Sequence, residues 1–192
     1  MKYYILFVVL ILSSSGLSAQ KEERQVQNLR YFNHSQVGIL IGDESENKAI
    51  KAMIPSFQTV NGIRVGNHFG FGVGVGVEPF EYTAFPVFFS VYYFLNNKKS
   101  SPYIAAKGGY AFTNSQKKIN YYYYEGTHNN KGGLMFNPEI GVRFNVAGFN
   151  MTLSGGYRYQ RLESQVTPER SIYTYKHTVD YKRTSVALGI MF

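Results

Sequence analysis

The side chains able to do acid–base or metal chemistry are few and scattered. Histidines stand at 34, 68, 128 and 177, and there is no cysteine. Glu125 with His128, and His177 with Asp180, are the pairs whose convergence would hold a metal ion or activate a nucleophile such as Ser171. Their spacing matches no catalytic or metal-ligating motif, so they read as solvated loop residues, and no catalytic residue, metal or cofactor is assigned. A second set is ionic. Glu78, Lys107, Glu139, Arg143, Arg158 and Arg183 each interrupt an apolar stretch, where their chemistry would be mutual neutralisation. A third set is tyrosine. "INYYYYEGTHNNKG" (119–132) carries Tyr121, Tyr122, Tyr123 and Tyr124, and "SIYTYKHTVDYK" (171–182) carries Tyr173 and Tyr175, interleaved with lysines. Tyrosine offers wide contact area at low entropy cost plus a hydroxyl, which suits recognition. The same tyrosines equally suit an aromatic belt at a membrane boundary.

The elements that must position these residues are strands. In "HFGFGVGVGVEPF" (68–80), Phe69, Phe71, Val73, Val75 and Val77 share one parity and Gly70, Gly72, Gly74 and Gly76 the other. Period two is the strand signature, and glycines along one face imply close approach by other groups. The same period recurs near 31–43, 53–65, 69–80, 85–95, 103–112, 133–144, 149–162 and 179–192. Most of these eight segments reach the roughly 9–11 residues a tilted strand needs to cross a bilayer. Short turns at 66–68, 96–101 and 145–148 alternate with long connections at 43–52, 113–132 and 163–178, while "EYTA" (81–84) is short where a long one is expected.

The N-terminus sets the compartment. "MKYYILFVVLILSSSGLSAQ" combines Lys2, an apolar core and a small-x-small end, the pattern of a signal peptide over 1–19 cut before Gln20. A polar segment, 20–30, precedes a single domain over 31–192. Without cysteine there is neither a lipoprotein anchor nor a disulfide framework. The formal net charge of +8 comes from dispersed basic residues, and with an exported address it does not point to nucleic acid.

Charge parity then predicts which face is which. The apolar parity of the third to eighth strands has no charge within its run, although Asp180 and Lys182 share that parity above the run of the last strand. The six ionic residues named above take the other parity with small residues such as Gly74, Ala105, Ser154 and Ser185. A Lys or Arg facing lipid at midplane costs about 2–4 kcal/mol, so the expectation is an all-β, eight-stranded antiparallel up-and-down transmembrane barrel with its ionic set inside. Glu78 and Glu139 are expected to share the four cations as a structural plug, since eight strands enclose a lumen that side chains mostly fill. Thr59 and Asn61 on the apparent outer face of the second strand suggest a bulge there. A secreted lipocalin-like barrel would invert the two faces. Its Gly-x-Trp motif is missing, as the chain has no Trp, and the apolar parity is too bulky for a small lumen.

The last strand carries a family resemblance. "SVALGIMF" looks like the C-terminal signal of bacterial outer-membrane barrels, with Ser185, Ala187, Leu188, Ile190 and terminal Phe192. With "LSAQ", "NGIRVGNHFGFGVGVGVE" and "SPYIAAKGGYAF", the chain resembles the small outer-membrane β-barrel family of porin-like, OmpA-like and PorT-like proteins. An even strand count behind a signal peptide puts both barrel termini on the periplasmic side, and the resemblance implies a bacterial outer-membrane address and assembly by the β-barrel assembly machinery through Ser185, Ala187, Ile190 and Phe192. Ala187 stands where glycine is usual and Ile190 where an aromatic is usual. The implied surroundings are outer-membrane lipid and lipopolysaccharide, with an extracellular or envelope protein as the further partner. The family label gathers many roles. The reading is a non-catalytic barrel with a structural, adhesion or partner-binding role through its Tyr-rich loops. The alternatives are a lipid-modifying enzyme at the rim and, more weakly, a passive channel.

Overall fold

The computed structural model describes residues 29–42, 52–80, 83–96, 100–113, 117–121, 124–146, 149–168 and 175–192. The expected signal peptide and nearly all of the polar segment 20–30 lie outside the described residues. Among the described residues there are nine strands, most of them built on alternating apolar and small or polar residues: β1 (Leu29–Ile41), β2 (Met53–Val65), β3 (Phe69–Pro79), β4 (Thr83–Phe94), β5 (Ser100–Thr113), β6 (Lys117–Tyr121), β7 (Tyr124–Val146), β8 (Phe149–Pro168) and β9 (Tyr175–Met191). Each neighbour pairing is antiparallel. β1 pairs with both β2 and β9, and β5 pairs with β7, so eight strands close into a barrel while β6 pairs with β7 beyond it. Closure is sealed at the termini of the wall, where Phe192 N donates to Asn33 O (2.9 Å) and Asn33 N to Phe192 O (3.2 Å). A closed wall leaves no unpaired barrel edge, as a lipid environment requires.

Parity resolves into an outside and an inside. Phe71, Val73, Phe89, Ile104, Phe136, Ile140, Leu153 and Leu188 are exposed, in a belt that continues around the wall. Exposed apolar area on this scale has no place in water and matches the lipid-facing band of a membrane barrel. Inward, the glycine face of β3 is crowded. A Cβ on Gly72 would lie 2.7 Å from Val60 Cγ1, and one on Gly74 would strike the Phe88 ring.

Two expectations change. Segments expected as long connections over 113–132 and 163–178 are largely strand: β6, the first part of β7, the last part of β8 and the start of β9 continue the wall past the barrel. Lys117, His128, Val166 and Tyr175 fall in one register row across these four strands, because the backbone ladder has no reason to stop where the apolar pattern does. The second correction concerns β2, which has no bulge. Its register with β1 and β3 is continuous, and among the described residues a register shift occurs in β7 between Asn130 and Gly132. Thr59 and Asn61 face outward because they bond a polar group on β1: Tyr31 Oη donates to Asn61 Oδ1 (2.6 Å), Asn33 Nδ2 to Asn61 Oδ1 (2.9 Å) and Thr59 Oγ1 (3.2 Å), and Ser35 Oγ lies 2.9 Å from Thr59 Oγ1.

Candidate functional site

The inward side chains form three layers. At the end that carries the termini, Phe32, Tyr92, Phe94, Tyr103 and Met191 pack as a mostly aromatic layer, with Arg64 and Arg143 over the Phe94 ring at 4.4 and 5.4 Å. At the loop end, Leu40, Ile54, Phe80, Ala84, Ala111, Leu162 and Tyr181 form a second apolar layer. Arg183 lies against it, 5.8 Å over Phe80 and 5.6 Å over Tyr181, and donates to Ala52 O (3.2 Å). Between the two layers lies a polar core.

That core holds two ion pairs joined by one amide. Lys107 Nζ donates to Glu139 Oε1 (2.7 Å), Gln36 Oε1 (2.5 Å) and Gln58 Oε1 (3.1 Å), which uses all three ammonium protons. Arg158 Nη2 donates to Glu78 Oε2 (2.6 Å), and Glu78 Oε1 accepts from Ser56 Oγ and Gln58 Nε2, both at 2.9 Å. Gln58 therefore bridges the pairs, its oxygen taking from Lys107 and its nitrogen giving to Glu78. Lys107, Arg158 and Glu78 are wholly buried, so each charge depends on these contacts. One layer toward the termini, His34 bonds Tyr92 Oη (3.1 Å) and Thr152 Oγ1 (2.9 Å) through its two ring nitrogens. A small void of about 10 Å³, lined by Gln36, Ser56, Gln58, Asn137, Glu139 and Ser185 among others, is room for one water molecule.

Of the six ionic residues singled out in the sequence, the structure brings together Glu78 with Arg158 and Glu139 with Lys107, and places Arg143 and Arg183 at opposite ends of the lumen against aromatic rings. The expected sharing of all four cations by the two carboxylates is thus replaced by one cation each. Arg143 lies over the Phe94 ring, whereas Arg183, the register partner of Arg158, carries its guanidinium to Phe80 and Tyr181. Sequence reasoning missed the neutral members, His34, Gln36, Ser56, Gln58, Tyr92 and Thr152. Their inward parity was the available signal.

Other candidates disperse. His68 sits in the β2–β3 turn with Nδ1 2.8 Å from Phe94 O. Asp180 is bound on the outer wall by Arg161 (Nε to Oδ1, 2.8 Å; Nη2 to Oδ2, 3.1 Å) and by Tyr159 Oη (3.0 Å). It stands above the apolar belt, and the Arg161 hydrogen bonds hold its carboxyl below the usual carboxylate range. His128 is opposite Val166 and His177 opposite Ser164, with β8 between their strands. Ser171, Tyr122, Tyr123 and Tyr173 lie outside the described residues. Tyr121 and Tyr124 are register partners in β6 and β7, and Tyr175 opens β9 as the register partner of Val166. Among the described residues no group of three His, Asp or Glu side chains could hold a metal ion. Ser185 and Ala187 lie on the inward parity of β9, and Ile190 and Phe192 are exposed on the outward one.

Comparison with solved structures finds the same architecture. Neisserial surface protein A is 13% identical, with a TM-score of 0.56 over 85% of this chain and 97% of that one. The outer-membrane protein OprG from Pseudomonas aeruginosa is 9% identical, with a TM-score of 0.61 over 84% and 95%. The N-terminal β-barrel domain of OprF from Pseudomonas aeruginosa is 11% identical, with a TM-score of 0.51 over 86% and 98%. No protein-family model matches the sequence, and no curated protein is similar to it. The chain has the fold of small eight-stranded outer-membrane barrels.

Proposed function

We propose that this barrel is a non-catalytic integral protein of the bacterial outer membrane, exported by its signal peptide, with both barrel termini periplasmic. Its work is adhesion or partner binding at the opposite end. The observation that carries the reading is the extension of the wall. β6, β7, β8 and β9 run past the barrel in shared register and bring Tyr121, Tyr124 and Tyr175 onto one sheet. A hydrogen-bonded backbone that carries tyrosines has less entropy to lose on binding than a free loop. The lumen supports a structural role in place of conduction, since two apolar layers close over a core whose charges are paired. The apolar belt supports a surrounding of lipid, with lipopolysaccharide at the loop end as part of this reading, and delivery to the assembly machinery would use Ser185, Ala187, Ile190 and Phe192.

The test is to replace 117–128 and 164–177 by tight turns. The shortened protein is expected to keep the mobility shift between unboiled and boiled samples in SDS while cells carrying it lose cell-to-cell and cell-to-surface adhesion. Undiminished adhesion would refute the reading. A lipid A mass spectrum that differs between a deletion strain and its complemented parent would establish the rim enzyme instead.

A further inference from the structure

The outer wall has a gap in its belt. Val73, Phe89, Gly108, Phe136 and Tyr159 occupy one continuous pairing row across β3, β4, β5, β7 and β8, all facing outward. Gly108 stands between two phenylalanines, and a Cβ built there would meet nothing nearer than Phe136 Cδ2 at 3.9 Å. The result is an open apolar groove of about 610 Å³, lined chiefly by Val87, Phe89, Tyr110, Leu134, Phe136 and Tyr159.

The groove ends in charge. Both tyrosines that line it point their hydroxyls toward the loop end: Tyr110 Oη donates to Lys131 O (2.6 Å), and Tyr159 Oη donates to Asp180, which Arg161 holds. Lys182 is the cross-strand partner of Tyr159. Lys131, Arg161 and Lys182 thus gather where the belt stops, against Asp180 and, one outward step further along β8, Glu163. An apolar trough that opens onto an excess of cations at a membrane boundary is complementary to an amphiphile with a chain and an anionic head.

We propose that this groove is a binding site for a phosphorylated acyl lipid of the leaflet at the loop end. One acyl chain lies over Gly108 between Phe89 and Phe136, and the phosphate rests on Arg161, Lys182 and Lys131. The inference rests on the membrane-barrel reading and adds to it a located, headgroup-selective lipid site.

The test uses the full barrel reconstituted into vesicles of equal parts phosphatidylglycerol and phosphatidylcholine with matched chains, extracted gently and weighed by native mass spectrometry. The wild-type barrel is expected to retain phosphatidylglycerol in preference. The double substitution Arg161→Ala with Lys182→Ala is expected to lower that retention roughly tenfold. Gly108→Phe fills the trough and is expected to lower it with every charge in place. No preference for the anionic lipid in the wild type, or equal retention in all three proteins, overturns the site. The SDS mobility shift, read on the same samples, separates the two levels: a wild-type protein without the shift refutes the barrel reading itself, and a shifted protein without lipid preference refutes only the groove.

Discussion

At the scale of single residues, the polar core shows why buried charge is tolerated here. Burying an ion costs several kcal/mol, recovered only when geometry and hydrogen bonds are nearly complete. Lys107 meets this condition with three acceptors, and Glu78 with three donors. Glu78→Ala leaves Arg158 buried without its carboxylate and is expected to destabilise the barrel by about 3–5 kcal/mol in urea unfolding from lipid vesicles. Replacing a whole pair is different. Lys107→Met with Glu139→Leu removes both charges together and is expected to cost less than either single change, the mark of a pair whose value lies in neutralising itself.

At the scale of elements, β1 and β2 break the rule that governs the rest of the wall. Asn33, Ser35, Thr59 and Asn61 sit on the lipid parity, flanked by Val37 and Phe57 toward the loop end and by Ile63 toward the termini. Their mutual hydrogen bonds reduce the penalty of placing polar groups against hydrocarbon without abolishing it. Asn33→Leu with Asn61→Leu removes both amides at once, so neither is left waiting for the other. The double variant is expected to gain on the order of 1 kcal/mol of stability in lipid, measured by the same urea titration. A loss would show that this patch touches something other than lipid.

At the scale of the whole molecule, the barrel is a filled cylinder. Phe32, Tyr92, Phe94, Tyr103 and Met191 close one end, Leu40, Ile54, Phe80, Leu162 and Tyr181 the other, and side chains from all eight strands meet between them. Eight strands leave an interior of about the width that side chains fill. In a planar bilayer the purified protein is expected to show no unitary conductance steps. Discrete steps of constant size would mean that one of the apolar layers moves aside under voltage.

What the sequence determined by itself is the strand pattern and its two faces. Period two survives in any window of the chain, so "FGFGVGVGV" declares a strand and its crowded side without knowledge of its neighbours. The closed eight-stranded wall was legible for the same reason, from strand count, connection lengths and the absence of charge in the apolar runs. Parity also says that Glu78, Lys107, Glu139 and Arg158 face the same way, yet not at what height or beside whom. Those facts belong to register and shear, set by all eight strands at once. Hence it took the folded barrel to show that Gln58 couples the two ion pairs and that Arg143 and Arg183 lie over aromatic rings. The same holds for Asn33 and Thr59, separated by 26 positions and joined across β1–β2, where Thr59 and Asn61 by themselves suggest a bulge. The row that leaves Gly108 as a notch between Phe89 and Phe136 likewise exists only once three strands are laid side by side. Local alternation is a property of the chain, whereas contact across a barrel is a property of its closure.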